Sequence, residues 1–136
     1  MKVLVLLLFS FFSAALPADL FAQNLSSAAE AKADHDKPQM TEEEKINHLI
    51  NYVRHLEGMI FIRNGKEFPP QEAADHLQKK YDKHKKKVKT AHEFVVGLAS
   101  KSSASGEVYL IRMSDGETIQ CGDLLNQELK RLEDNS

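Results

Sequence analysis

Few residues of this chain have the type and spacing to do chemistry, and two of them are arginines beside turns. Arg63 lies in Phe61-Ile-Arg-Asn-Gly-Lys-Glu-Phe68, at the end of a short apolar run and next to an Asn64-Gly65 pair. Arg112 lies near the end of a second apolar run, Val108 to Met113. A guanidinium offers five donors in a planar fork that fits a carboxylate or a phosphate. If the two runs are neighbours in space, Arg63 and Arg112 are expected to converge on one anion; the plainer reading is two solvated or internally paired arginines. His76, Lys80 and His84 follow at intervals of four, which places them along one row of a helix. His76 and His84 are then about 12 Å apart along the axis, too far to share an ion. His48 and His55, seven apart, are separated by about 10 Å by the same rise, and they lie opposite an apolar stripe, where solvation is expected. With no H-x-x-x-H, no Cys-x-x-Cys and no acidic calcium loop, neither a metal nor any other cofactor is expected.

The segment "KSSASG", Lys101 to Gly106, tempts a nucleophile reading, with Ser102, Ser103 or Ser105 activated by Lys101 or His76. It lacks both the S-x-x-K order and a G-x-S-x-G elbow. A helix exit whose hydroxyls and amides satisfy free carbonyls is the plainer account, and an anion-binding loop lies between the two. The stretch from Lys79 to Lys89 holds seven lysines. It could grip a polyanion, but Glu72 and Asp75 open the same helix and the lysines close it, which complements the helix dipole. No aromatic residues interleave with the run to stack on bases, which argues against nucleic acid. Lys80 is placed to pair with Glu128, which falls inside a leucine stripe near the C-terminus.

The elements that must position these residues are legible from caps, periods and turns. Thr41-Glu-Glu-Glu44 is a capping box, and Ile46, Leu49, Ile50, Val53 and Leu56 form one helical stripe that Gly58 can stop. Met59 to Ile62, the Asn64-Gly65 turn and Glu67-Phe68 read as a hairpin. Pro69-Pro70 opens a second helix, with Ala73, Leu77, Tyr81, His84 and Val88 inward. Thr90-Ala-His-Glu93 is another capping box, with Ala91, Phe94, Val95 and Leu98 inward. Val108 to Met113, the turn Ser114-Asp-Gly-Glu117 and Thr118 to Cys121 read as a second hairpin. Asp123 then caps a last helix carrying Leu124, Leu125, Leu129 and Leu132. The predicted class is α+β: helix–hairpin–helix twice over, the two hairpins forming one small antiparallel sheet packed by about four helices.

The N-terminus predicts export. Lys2, an apolar run from Val3 to Phe12 and small residues up to Ala22 make a signal peptide over 1–22. Pro17 and Asp19 cut the run short of the ~20 apolar residues a spanning helix needs, so no transmembrane segment is expected. Residues 23–40, rich in Ala, Ser, Asp and Lys and ending near Pro38, read as a flexible linker. A single domain follows over 41–133, with a tail at 134–136. Eighteen basic and 20 acidic residues nearly balance, so no global field selects a nucleic acid or a membrane. Cys121 stands alone, which rules out an intramolecular disulfide and leaves a buried small residue or an intermolecular thiol.

In order, "FIRNGKEF", "EAADHLQKKY", "TAHEF" and "LASKSSASGEVYLIR" resemble the motifs of a family of small exported bacterial proteins, domain of unknown function 5329. The resemblance runs from about Ile46 to Leu129 and matches, among others, Arg63, Asn64, His76, Lys80, Ser102, Ser103, Ser105, Tyr109 and Arg112. It implies an envelope or secreted protein and carries no established activity. Where the family tends to have a Cys two residues before the hairpin Phe, this chain has Met59, so a thiol role there is absent. The reading that follows is a non-catalytic binding or interaction module of the bacterial envelope, its partner an unknown protein or an anionic ligand. Its candidate surface is Arg63, Asn64, His76, Lys80, Ser102, Ser103, Ser105 and Arg112. The alternatives are a small hydrolase using a serine of 102–105 and a polyanion binder using Lys79–Lys89.

Overall fold

In the computed structural model, residues 38–136 are described. The expected signal peptide and most of the expected linker lie outside the described residues. Helix α1 spans Glu42–Arg54 and is followed by strands β1 (Ile60–Arg63) and β2 (Lys66–Phe68). Helix α2 spans Pro70–His84, and α3, Ala91–Phe94, widens into a π-helical turn over Val95–Ala99. Strands β3 (Leu110–Arg112) and β4 (Thr118–Gln120) lead into α4, Cys121–Asp134. The class is α+β. The two hairpins join through β1 and β3 into one antiparallel sheet of order β2-β1-β3-β4.

Both capping boxes form. Thr41 Oγ1 accepts from the Glu44 amide while Glu44 takes the Thr41 amide at 2.7 Å, and Thr90 and Glu93 repeat the exchange. Helix α1 stops four residues before Gly58. The His55 ring donates from Nδ1 to the Asn51 carbonyl at 2.8 Å, the acceptor a continuing helix would offer the His55 amide. Asn64 and Gly65 both take positive φ, 49° and 71°, which lets a two-residue turn join β1 to β2 with the twist a hairpin needs. Asp123 does not cap α4. Strand β4 runs directly into the helix from Gln120, tied by the Cys121 amide to the Tyr109 carbonyl at 2.9 Å, and Asp123 lies inside the first turn.

The expected apolar stripes of α1, α3 and α4 are buried, with Leu49, Val53, Phe94, Val95 and Leu125 fully enclosed. On α2 the buried positions are Pro70, Ala74, Leu77 and Tyr81, whereas Ala73 and His84 stand half-buried at the edge of a groove. Phe61, Tyr109 and Ile111 bring one face of the sheet into the same core. Cys121 is buried, and burial pushes its thiol up to about 12. Glu128 is also buried, but its partner is not Lys80. Its carboxylate accepts from Arg131 at 2.6 and 2.8 Å and lies 2.7 Å from His48 Nε2. His48 is therefore engaged with α4 rather than merely solvated.

Candidate functional site

Strand alternation decides which side chains reach the groove beside α2. Arg63 shares the parity of Phe61 and points to the helix-covered face of the sheet, as do Tyr109 and Ile111 across the ladder. Arg112 pairs with Ile60 and has the opposite parity. It lies on the other face, ion-paired with Glu67. Two guanidiniums therefore do not converge, because a one-residue offset in a strand reverses the face. The expectation of a shared Arg63–Arg112 anion site is corrected on that ground.

Arg63 instead meets the row on α2. Its Nη1 lies 2.7 Å from Nδ1 and 2.9 Å from Nε2 of His76, and its guanidinium carbon lies 4.8 Å from the centre of the Phe68 ring. The neutral ring has one accepting nitrogen for the guanidinium, and its Nε2 also lies 3.2 Å from Tyr109 Oη. Burial, then the charges of Arg63 and Lys80, lower His76 from 6.5 to about 4, so the ring is uncharged at pH 7. One turn further along, Lys80 Nζ donates to the carbonyls of Leu98 at 2.6 Å and Lys101 at 3.0 Å, and to Tyr109 Oη at 3.3 Å. The Leu98 carbonyl is an acceptor because the π turn ends there, and the Lys101 carbonyl because the Lys101–Val108 bridge is bonded through its neighbours and leaves it unused. Burial, then Arg63, lower Lys80 from 10.5 to about 8, which leaves it mostly charged at pH 7.

Two clefts meet at this cluster, and Arg63, His76 and Tyr109 line both. The first, about 280 Å³, is floored by Phe61, Phe68, Ala73 and Leu77, with Glu72 and Asp75 towards the start of α2. Asp75 is held by Arg54 at 2.7 Å. The second, about 290 Å³, is lined by Asn64, Lys80, Lys83, His84, Ser102 and Ser103 in addition to the shared residues. No carboxylate lines it. Among the described residues neither Arg63 nor Lys80 has an Asp or Glu within ion-pair distance, unlike Lys45, Arg54, Lys85, Arg112 and Arg131.

The serine loop is arranged by its own backbone. Ser102 is buried and exchanges main-chain hydrogen bonds with Glu107 and Gly106. Ser105 Oγ donates to Asn64 Oδ1 at 2.7 Å and accepts from the Glu107 amide, which ties the loop to the first hairpin turn. Among the described residues no His or Lys side chain hydrogen-bonds to Ser102, Ser103 or Ser105. No group of three or more His, Cys, Asp or Glu side chains among them is arranged to hold a metal ion. None of their helices is long and apolar enough to cross a membrane. In the lysine run, six of the seven side chains are exposed and Lys80 alone is drawn into the cluster.

With this geometry in view, the profile of a family of unknown function, DUF5329, matches residues 40–133. The chain belongs to this family. It is also similar to the uncharacterised protein YfeK of Salmonella typhimurium strain LT2, 34% identical over 68 residues. That match covers 50% of this chain and 57% of the relative, so the chain spans little more than half the relative's length. No solved structure matches the chain. Of the eight site residues expected from sequence, this DUF5329 member brings Arg63, Asn64, His76, Lys80, Ser102 and Ser103 to one groove. Ser105 stands behind Asn64, and Arg112 lies elsewhere. Tyr109, whose hydroxyl joins His76 to Lys80, was not among the expected site residues. Its signal was the alternation Tyr109–Ile111, which puts it on the same face as Arg63.

Proposed function

We propose that this protein is a non-catalytic binding module of the bacterial envelope and that it recognises an anionic group at the Arg63–His76–Lys80 cluster. One observation carries the reading: two cations are half-buried at one cluster, neither has an ion-pair partner among the described residues, and all their hydrogen-bond partners are neutral. Partly desolvated charge is costly unless something offsets it, and here the offset comes only from carbonyls, a hydroxyl and an imidazole. An anion in the groove would complete it. Asn64 and Ser103 at the rim supply further donors, and the apolar run at the N-terminus supports export.

Thermal unfolding of the purified protein in rising inorganic phosphate, at constant ionic strength, tests this. A ligand at ten times its Kd adds about 1.4 kcal/mol to stability, so a saturable rise in Tm is expected that Arg63→Gln and Lys80→Met each abolish. No rise, or a rise both variants retain, would overturn the reading. A rise lost only when Lys85, Lys86 and Lys87 are neutralised would transfer the binding to the lysine run.

A further inference from the structure

We infer that the two clefts act as one site for an amphipathic monoanion, an aliphatic monocarboxylate with its head at Arg63 and its chain over Phe61, Phe68 and Ala73. This rests on the anion-binding reading above and adds the class of ligand. The clefts share the Arg63–His76–Tyr109 wall, so a group held at the guanidinium borders both. Arg63 directs Nη1 at His76, with the Tyr109 hydroxyl also within the guanidinium's reach. Nε and Nη2 keep donors suited to a carboxylate in the fork geometry. The first cleft is floored by two phenylalanines and by Ala73, the one small residue on the groove edge of α2. From Ala73 to Lys80 the helix rises about 10 Å, enough to separate an apolar body from a charged head. At the far end stands Glu72, with no ion-pair partner among the described residues, and Asp75 is already held by Arg54. A second negative charge at that end would face Glu72, while Lys79, which also lines this cleft, stands about 10 Å away along the helix, nearer the head. The volume, about 280 Å³, is near the lower end of the range for small-molecule sites, which suits a short chain rather than a long lipid.

Calorimetric titration of the purified protein with acetate, octanoate and octanedioate (the eight-carbon diacid) tests this, with phosphate as the head-group control. Each buried methylene tightens binding about fourfold, so octanoate is expected to bind at least a hundredfold more tightly than acetate, and octanedioate far more weakly than octanoate. Ala73→Leu, which fills the cleft floor, should remove the advantage of octanoate and leave phosphate binding intact. Ala73→Val, a smaller change, should remove part of it. Equal affinity for acetate and octanoate alongside measurable phosphate binding would overturn this inference and leave the anion-binding reading standing. Octanedioate binding as tightly as octanoate would also overturn it. No binding of any of the anions would overturn both.

Discussion

Acidifying the protein should cost it stability through His76 in particular. The imidazole, drawn from 6.5 down to about 4 by burial and then by Arg63 and Lys80, stays neutral in the fold at a pH where the unfolded chain takes up a proton. Between those two values the unfolded state binds more protons, so stability falls as pH falls through that window. At pH 5 the full displacement is worth about 2 kcal/mol relative to pH 7. The ring is only half-buried, and solvent screening reduces the expected loss to about 1 kcal/mol. Carboxylates such as Glu128 and Glu42, held low by hydrogen bonds from Arg131 and Lys45, lose their contribution at lower pH and do so in any variant. The informative quantity is therefore a difference. Urea unfolding of the wild type and of His76→Gln at pH 7 and pH 5 should show the wild type losing about 1 kcal/mol more than the variant. Identical losses would refute the neutral, cation-flanked His76 on which the site geometry depends.

Lys80 gives the complementary test in alkali. Its folded value is lowered, so its penalty is present below pH 8 and is relieved as pH rises towards 10.5. Wild-type stability relative to Lys80→Met should climb across that window, with Tyr109 common to both proteins, and a flat difference would mean the ammonium is not desolvated. Gly122→Ala should destabilise by about 1–3 kcal/mol, because the added Cβ would overlap Ser100 Oγ and lie 3.1 Å from Ser100 Cβ. Ser100 cannot simply turn away without losing its 2.6 Å bond to the Val95 carbonyl, and urea unfolding reads the effect directly. Asn64→Ala should cost about 1–2 kcal/mol through positive φ and the lost acceptor for Ser105. Asn64→Gly should recover the backbone share alone.

The local features were legible because local chemistry sets them. A Thr followed three residues later by Glu closes its own cap, and Asn-Gly takes positive φ wherever the flanking strands pair. Strand parity also follows from the same string, and it would have separated Arg63 from Arg112 had the register been known. Register depends on the pairing of β1 with β3, which lie about 50 residues apart in the chain, and nothing local announces it. The partner of Lys80 was not legible for a related reason. Glu128 offered the nearest opposite charge by pattern, but Arg131, three residues on in the same helix, reaches it first. Of the carbonyls that Lys80 does find, that of Leu98 belongs to a π turn that no motif marks and that of Lys101 to a bridge with Val108. The end of α1 and the start of α4 moved because a side chain (His55) and a tertiary amide bond (Cys121 to Tyr109) outweighed Gly58 and Asp123.

The central claim is that the groove, and not the lysine run, receives the anion. Amide and side-chain NMR shifts of the purified protein, followed while inorganic phosphate is titrated in at constant ionic strength, test it most directly. Saturable shifts centred on Arg63, Asn64, His76, Lys80 and Tyr109 are expected. Shifts confined to Lys85–Lys89, or none at all, would contradict it.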